Sequence, residues 1–234
     1  MEYSKLPFMT WYVAMAFMSC TKKGLSAMEL YQQLGEHTYD SVWGLMHRIR
    51  DAMGKRDDMY RLEGMVEFDE GFFEKATSKH VKLKRGKGSQ RQKNVAVMAE
   101  STPLEDLGTG ITGKHCRFFK MKGHAAEHVD EVVTENFDEK CIVMSDKSAS
   151  YVNIADHVEA HLSIISDKVT TRTNLKWVHI AISNAKRNFL GIYHKIKGKY
   201  LQSYLNEFCY KLNRRYFGER LFDRLTFAVP KSYW

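Results

Sequence analysis

The chain has 234 residues, 44% hydrophobic and 12% aromatic, with three prolines and no low-complexity segment. That composition excludes a disordered or fibrous protein and suits one large domain, or a domain with a small appendage. The formal net charge of +8 points to a polyanionic partner, nucleic acid first, with a merely basic surface as the alternative. The four cysteines, Cys20, Cys116, Cys141 and Cys209, are too far apart for a Cys-x-x-Cys zinc pair. Each lies in an apolar stretch, as buried free thiols do, which fits a reducing cytoplasm. The apolar run from Phe8 to Cys20 is too short to span a bilayer and lacks a basic lead-in and a cleavage site. No membrane association or signal peptide is expected.

Trp11 to Ser19 is apolar nearly all round, as a packed helix is. After the break at Lys22-Lys23-Gly24, Ser26-Ala-Met-Glu29 has the form of a capping box. It opens a helix over about 26–34 that Gly35 is suited to end. The polar turn Glu36-His37-Thr38 leads to a second helix, about Asp40 to Met53, with Val42, Met46, Ile49 and Met53 as its buried stripe. Helix, glycine-containing turn, helix is the helix-turn-helix pattern. In that reading the second helix shows Tyr39, Ser41, Gly44, His47, Arg48 and Arg50 to a DNA groove; a plain helical hairpin is the alternative. Lys55-Arg-Asp-Asp58 reads as a charged linker. The expected organisation is a helical, helix-turn-helix-like unit over 1–60 and a second domain over 61–234.

Met65 to Lys75 reads as a strand, with Val66, Phe68 and Phe72 at period two. The opposite face carries Glu67, Asp69 and Gly71. An acid on a strand between aromatic residues is costly unless something pairs with it, and Gly71 would leave open space beside Asp69. Asp69 is therefore either on the wet face of an edge strand or a metal-binding carboxylate. The chain then runs through Lys75, Lys79, Lys82, Lys84, Arg85, Lys87, Arg91 and Lys93 with no acid between them. This stretch reads as an arm lying along phosphates, or as a solvated hairpin loop.

Asn94 to Glu100 and His115 to Met121 read as second and third strands of an antiparallel meander, and Ala125 to Phe137 as an amphipathic helix. Cys141-Ile-Val-Met144 is a short apolar run, as expected of a buried parallel strand. It ends in Ser145-Asp146-Lys147, where sites in α/β sheets gather, although Asp146 could equally cap the segment that follows. Three strands, a helix and a fourth strand, with acids on the first and fourth, fit an α/β fold of the ribonuclease H-like type: a mixed sheet with flanking helices. Its chemistry uses two carboxylates to hold divalent metals.

A short helical piece follows Ser148, His161 to Ile165 reads as a fifth strand, and Lys176 to Leu190 as a helix. His179, Ser183, Lys186 and Leu190 share one face of that helix, so a histidine and a lysine two turns apart could meet a metal and a phosphate. A structural histidine is the alternative. Tyr200 to Tyr216 reads as a long helix with Leu201, Leu205, Phe208 and Leu212 in its stripe and Glu207 off it. Asn213-Arg214-Arg215-Tyr-Phe217 sets cations beside aromatics, which suits single strands or strand ends, or compensates a helix dipole.

Three of these segments carry a resemblance: Val-Glu-Phe-Asp69-Glu, Met-Ser-Asp146-Lys-Ser-Ala-Ser-Tyr151, and Trp177-Val-His179-Ile-Ala-Ile-Ser-Asn-Ala-Lys186-Arg187-Asn-Phe-Leu-Gly191. Together with Leu201 to Arg215 and Leu221 to Arg224 they resemble bacterial insertion-sequence transposases of the DDE type, over roughly residues 20 to 230. The resemblance implies a ribonuclease H-like domain that cleaves and transfers DNA strands at the ends of an insertion sequence, using magnesium or manganese. It implies double-stranded DNA partners, at element ends and target, and a homo-oligomer on DNA. Asp69 and Asp146 match the two family aspartates. The third position, usually Glu seven residues before a Lys, is His179 ahead of Lys186; members with Asn or His there belong to the same group. The site expected from this is Asp69, Asp146 and His179 on metal, with Lys186 beside them. DNA is expected on Lys82, Lys84, Arg85, Lys87, Arg91, Lys93, Arg48, Arg50, Arg187, Arg214 and Arg215. A relic that only binds DNA is the alternative. Relatives often begin with a Cys-pair zinc ribbon that this chain lacks, which suggests a short member or an alternative start.

Overall fold

The structure, a computed structural model, describes residues 4–35, 38–76, 89, 91–103, 115–124, 129–147, 149–165, 174–193 and 195–231. In chain order its main elements are α1 (Phe8–Cys20), α2 (Ala27–Leu34), α3 (Tyr39–Asp58), β1 (Met65–Ala76), β2 (Gln92–Pro103), β3 (His115–His124), α4 (Val129–Asn136), β4 (Ile142–Asp146), a 3₁₀ segment (Ala149–Asp156), β5 (Ala160–Ile164), α5 (Lys176–Tyr193), α6 (Leu201–Asn213) and α7 (Arg220–Lys231). They form two compact units, Met1–Met59 with Arg187–Trp234, and Tyr60–Lys186. One boundary lies between Met59 and Tyr60. The other lies within α5, so residues 187–234 cluster with the N-terminal helices.

In the sheet unit the strand order is β3-β2-β1-β4-β5. β1, β2 and β3 are antiparallel neighbours, and β4 and β5 run parallel to β1. This is the ribonuclease H-like arrangement expected from the order of strands. The alternation of β1 gives the sheet two different faces. Val66 and Phe68 join Ala96, Met98 and Val143 under Val129, Val133 and Phe137 of α4 and its flank, with Tyr151 and Ile154 closing the layer. Each fully buried side chain of this size contributes about 1.5–3 kcal/mol. Glu67, Asp69, Gly71 and Phe73 occupy the other face.

The helical unit is held by a core of Trp11, Met15, Met18, Leu30, Met46, Ile49, Met53 and Leu225. α1 buries the stripe Trp11, Ala14, Met15, Met18 and Ser19, and leaves Phe8, Met9 and Tyr12 exposed; although apolar nearly all round, it is packed on one side. α2 begins as its capping residues require: Ser26 Oγ accepts from the Glu29 amide at 3.1 Å. It ends on Gly35 at φ 63°, a left-handed conformation that glycine adopts without strain.

α3 runs on through Asp58, so the segment expected as a linker is its last turn. The reason is Asp57, which is buried and accepts from Asn213 Nδ2 at 3.1 Å and Arg214 Nη1 at 2.6 Å. These bonds tie the end of α3 to α6. The groove-facing set also needs correction. Arg50 is 1% exposed. Its Nε donates to Glu207 Oε2 at 2.7 Å, its Nη2 to the Tyr193 hydroxyl at 3.2 Å, and its guanidinium lies 4.3 Å from the Tyr204 ring centroid. A buried guanidinium with these partners is core, not DNA contact. The His47 ring packs tilted against those of Trp43 and Tyr200, at centroid distances of 4.1 and 5.0 Å, and burial followed by the Arg50 charge pushes its pKa down to about 4, so the ring is neutral. Tyr39, Ser41 and Arg48 remain exposed. Glu207, expected off the buried stripe of α6, is in the core because Arg50 is there.

Cys141 and Cys209 are buried, as expected, but Cys20 is exposed. Among the described residues no helix is long and apolar enough to cross a membrane.

Removing one member of a buried ion pair strands the other charge in the core. Glu207→Ala is expected to lower stability by about 3–5 kcal/mol, and Glu207→Gln, which keeps an acceptor for Arg50, by less. Urea unfolding of the three proteins measures this.

Candidate active site

The site is built on the face of β1 that carries Glu67. A helix leaves its first amides without intrahelical acceptors, and at the start of α5 those of Trp177 and Val178 both donate to Glu67 Oε2, at 2.7 and 3.0 Å. Glu67 thus caps a helix that begins more than a hundred residues later in the chain. Its carboxylate also sits at the positive end of the helix dipole. Burial, the largest influence, nevertheless lifts its pKa above the ordinary glutamate range, against the two amides, Arg117 and Lys176. Arg117 of β3 lies over the Trp177 ring, 3.4 Å from its centroid, and closes this end of the site.

From that anchor α5 advances in step with β1. His179 Nε2 is 3.6 Å from Asp69 Oδ2, Ile182 lies at Gly71, and Lys186 Nζ is 5.7 Å from the Phe73 ring centroid. Seven residues of helix rise about 10 Å and four of strand about 13 Å, so the two elements stay matched over this length. Gly71 does not open space beside Asp69, as the sequence suggests. It lets the helix approach: an added Cβ would meet Phe73 Cε2 at 3.0 Å and Ile182 Cγ1 at 3.3 Å.

Asp146 comes to Asp69 through the sheet. β1 and β4 pair in parallel with Phe68 opposite Ser145, so the next residues, Asp69 and Asp146, stand abreast at the carboxyl end of β4. Asp146 Oδ1 is buried without a hydrogen-bond partner among the described residues, whereas Asp69 Oδ1 accepts from the Glu70 amide at 2.7 Å. Burial raises the pKa of Asp69, the Glu70 amide and His179 lower it, and Asp146 and Glu70 raise it again; the net direction is upward. Tyr151, 2% exposed, packs its ring 5.0 Å from that of Phe68. Burial and the charges of Glu70, Asp69 and Asp146 raise its pKa, so it stays a neutral phenol beside the acids.

Two adjacent carboxylates, one oxygen of them orphaned, with an imidazole next to them, are a donor set that fits a divalent cation. Among the described residues no three His, Cys, Asp or Glu side chains converge closely enough to enclose a metal by themselves. Magnesium sites commonly use one or two carboxylates and complete their shell with water and substrate phosphate oxygens, so the pair of aspartates suffices chemically.

The other expected residues are distributed differently. Lys186, about two helical turns beyond His179, is not brought to the carboxylates. Lys82, Lys84, Arg85 and Lys87 lie outside the described residues. Arg91 is exposed and Lys93 half-buried. Arg48, Arg187 and Arg215 are exposed, while Arg214 is mostly buried against Asp57 and Arg50 is core. Sequence reasoning missed the cap formed by Glu67 and the proximity of Tyr151 to the acids. The first had a signal, since Glu67 shares the alternating face of Asp69.

Glu67→Ala leaves one buried and one partly buried amide unsatisfied and is expected to cost about 1–3 kcal/mol; Glu67→Gln, which can accept the same bonds, should cost less. Because the folded pKa of Glu67 is raised, its contribution is fully present below the ordinary value of 4.5 and is lost as pH rises through the folded value. Wild type should therefore lose ground to Glu67→Gln as pH rises above about 4.5. Thermal unfolding of the three proteins across pH 3 to 8 measures both effects.

No curated protein matches the chain. Among solved structures it is similar to the crystal structure of the Mos1 mariner paired end complex with Mn, at 10% identity and a TM-score of 0.33, covering 89% of this chain and 75% of that one. It is also similar to a pre-cleavage Mos1 transpososome, at 11% identity and a TM-score of 0.29, with the same coverage. The family model for the ISXO2-like transposase domain matches residues 61–213, a span that holds β1 with Asp69, β4 with Asp146, and α5. The chain belongs to the ISXO2-like transposase domain family.

Proposed function

We propose that the chain cleaves DNA strands and transfers them at the ends of an insertion sequence, with Asp69 and Asp146 holding a divalent metal, magnesium or manganese. The observation that carries this reading is the pair of aspartates abreast on parallel strands, one with a buried, unpartnered oxygen. When bound, such a metal polarises a phosphoryl oxygen and lowers the pKa of attacking water. The chain's own residues do the rest. Glu67 sets the start of α5 and with it the height of His179. His179 stands beside Asp69, where it can share a ligand position or hold a water. Tyr151, a neutral phenol, can donate to a carboxylate or phosphate oxygen without adding charge. Lys186, two turns further along the same face of α5, can meet a phosphate of the bound DNA.

The partners in this reading are double-stranded DNA at the element ends and at the target, bound by a homo-oligomer in the cytoplasm. The net charge of +8 supports a polyanionic partner, and Arg48, Arg91, Arg187 and Arg215 offer exposed cations for it. The helix-turn-helix role of α2 and α3 belongs to the same proposal, read through Tyr39, Ser41 and Arg48.

Asp69→Asn and Asp146→Asn are each expected to lower strand cleavage by about 10³-fold or more, since a metal of this kind contributes several kcal/mol to the transition state, while binding of duplex DNA persists. Retained cleavage in either variant removes that residue from the site. Loss of all cleavage in the wild type with DNA binding intact identifies a relic that only binds.

Manganese, which accepts nitrogen more readily, should support wild-type cleavage better than magnesium, and His179→Glu should shift the preference toward magnesium. Metal must displace a proton from Asp69, whose pKa is raised, so metal affinity should begin to fall at a pH above the ordinary aspartate range as the solution is acidified. Titration of manganese by electron paramagnetic resonance across pH, for wild type and His179→Ala, measures this independently of cleavage. An affinity unchanged in His179→Ala would leave the metal to the aspartates.

A further inference from the structure

A cavity of about 750 Å³ opens on the helical unit where the end of α3, α6 and α7 meet. That is within the size range of pockets that seat small organic ligands. Arg56, Arg224 and Lys231 line it and are exposed, and none of the three is in an ion pair among the described residues. Lys55 and Arg214, which also line it, are already held by Asp51 at 3.4 Å and Asp57 at 2.6 Å. No acidic side chain is among the lining residues. The charge of the cavity is therefore positive and partly uncommitted.

Two aromatic residues complete it. Phe227, on α7, is 71% exposed and presents a free ring. Tyr210, on α6, is 1% exposed, with the Arg214 guanidinium 3.8 Å from its ring centroid. Its hydroxyl is buried and has no hydrogen-bond partner among the described residues. A buried hydroxyl without a partner is unfavourable in the free protein, and Tyr210 is among the residues that line the cavity. Cations that track a backbone, beside an open ring on which a base can stack, are how unpaired nucleic acid is bound without regard to sequence. A duplex hides the faces of its bases by stacking them on one another, so the ring of Phe227 has nothing to meet there.

We propose that this cavity binds a single strand of DNA, with a base stacked on Phe227, phosphates met by Arg56, Arg224 and Lys231, and the Tyr210 hydroxyl donating to the seated nucleotide. The assignment rests on the DNA-processing reading above and adds a subsite for a strand freed from its complement, outside the carboxylate site and on a different unit.

The test measures fluorescence anisotropy of the full chain with a labelled twelve-residue oligothymidylate and, separately, with a hairpin-closed duplex. Phe227→Ala should weaken binding of the single strand about ten-fold, the range seen when a stacking aromatic is truncated, and leave the duplex within about two-fold. Arg224→Gln with Lys231→Gln should reduce the salt slope for the single strand by about 1.4, or 0.7 for each phosphate. Tyr210→Phe should weaken it about two- to ten-fold, the worth of one hydrogen bond, without lowering the unfolding temperature. That last variant separates a ligand contact from damage to the fold. If the single-strand affinity is unmoved in all three variants while the duplex is bound, the inference fails and the DNA-processing reading stands. If the wild type binds neither DNA, both fail. An acidic peptide that displaces the oligothymidylate from wild type as well as unlabelled DNA does, or a dimer in size-exclusion chromatography that Phe227→Ala dissociates, would overturn the assignment in favour of a protein partner.

Discussion

The candidate site depends on one oxygen. Glu67 Oε2 accepts both free amides at the start of α5, and a helix pinned at its first turn has little freedom left over the next two. The contacts that follow, His179 at Asp69, Ile182 at Gly71 and Lys186 at Phe73, are consequences of that anchor and of the similar advance of helix and strand. A carboxylate carried on a strand would ordinarily seek water. Here it exchanges water for amide donors, Arg117 and Lys176, and burial still leaves it with a raised pKa. The site therefore begins with an acid whose stability is marginal and whose position is strict.

The same logic runs through the two aspartates. Asp69 is desolvated and faces a second acid, and both raise its pKa. The aromatic layer of Phe68 and Tyr151 beneath it adds no charge that could relieve this. A divalent cation is the partner that such an arrangement lacks, because it answers two carboxylates at once where a lysine answers one. The mixed sheet makes this possible: the parallel pairing of β1 and β4 sets Asp69 and Asp146 level, while the antiparallel side of the sheet sets Arg117 near the cap.

In the helical unit a buried charge again organises its surroundings. Arg50 is enclosed by Glu207, Tyr193 and Tyr204, and the ion pair from Asp57 to Arg214 joins the same helices one end further on. Buried pairs of this kind gain little over an apolar core but cost a great deal when one member is removed, so they act as register marks between α3 and α6. They also commit two of the arginines that look available for DNA, which leaves the exposed cations of α3 and α7 to define where a polyanion could lie.

Much of this was legible in the residues. The capping serine and glycine of α2, the alternation of β1, the apolar run of β4 ending in Asp146 and the periodic face of α5 all depend on neighbours a few positions away, and the hydrogen bonds of helices and strands repeat at those offsets. The sequence by itself thus determined the five strands, the helices up to α6 and their order, and through them the ribonuclease H-like sheet with Asp69 and Asp146 on two of its strands; α7 was not read from it. It did not determine that Glu67 caps a helix 110 positions further on, that Arg50 is buried on Glu207 157 positions away, or that α3, α6 and α7 enclose a basic cavity. Lys186, seven residues from His179, shares its helix face yet lies apart from the acids for a related reason: a helix face extends along an axis, and only the tertiary packing decides which turn of it meets the site. A buried charge shows no period in the chain; its partner is chosen by the fold, because only folding removes the water that would otherwise have served it.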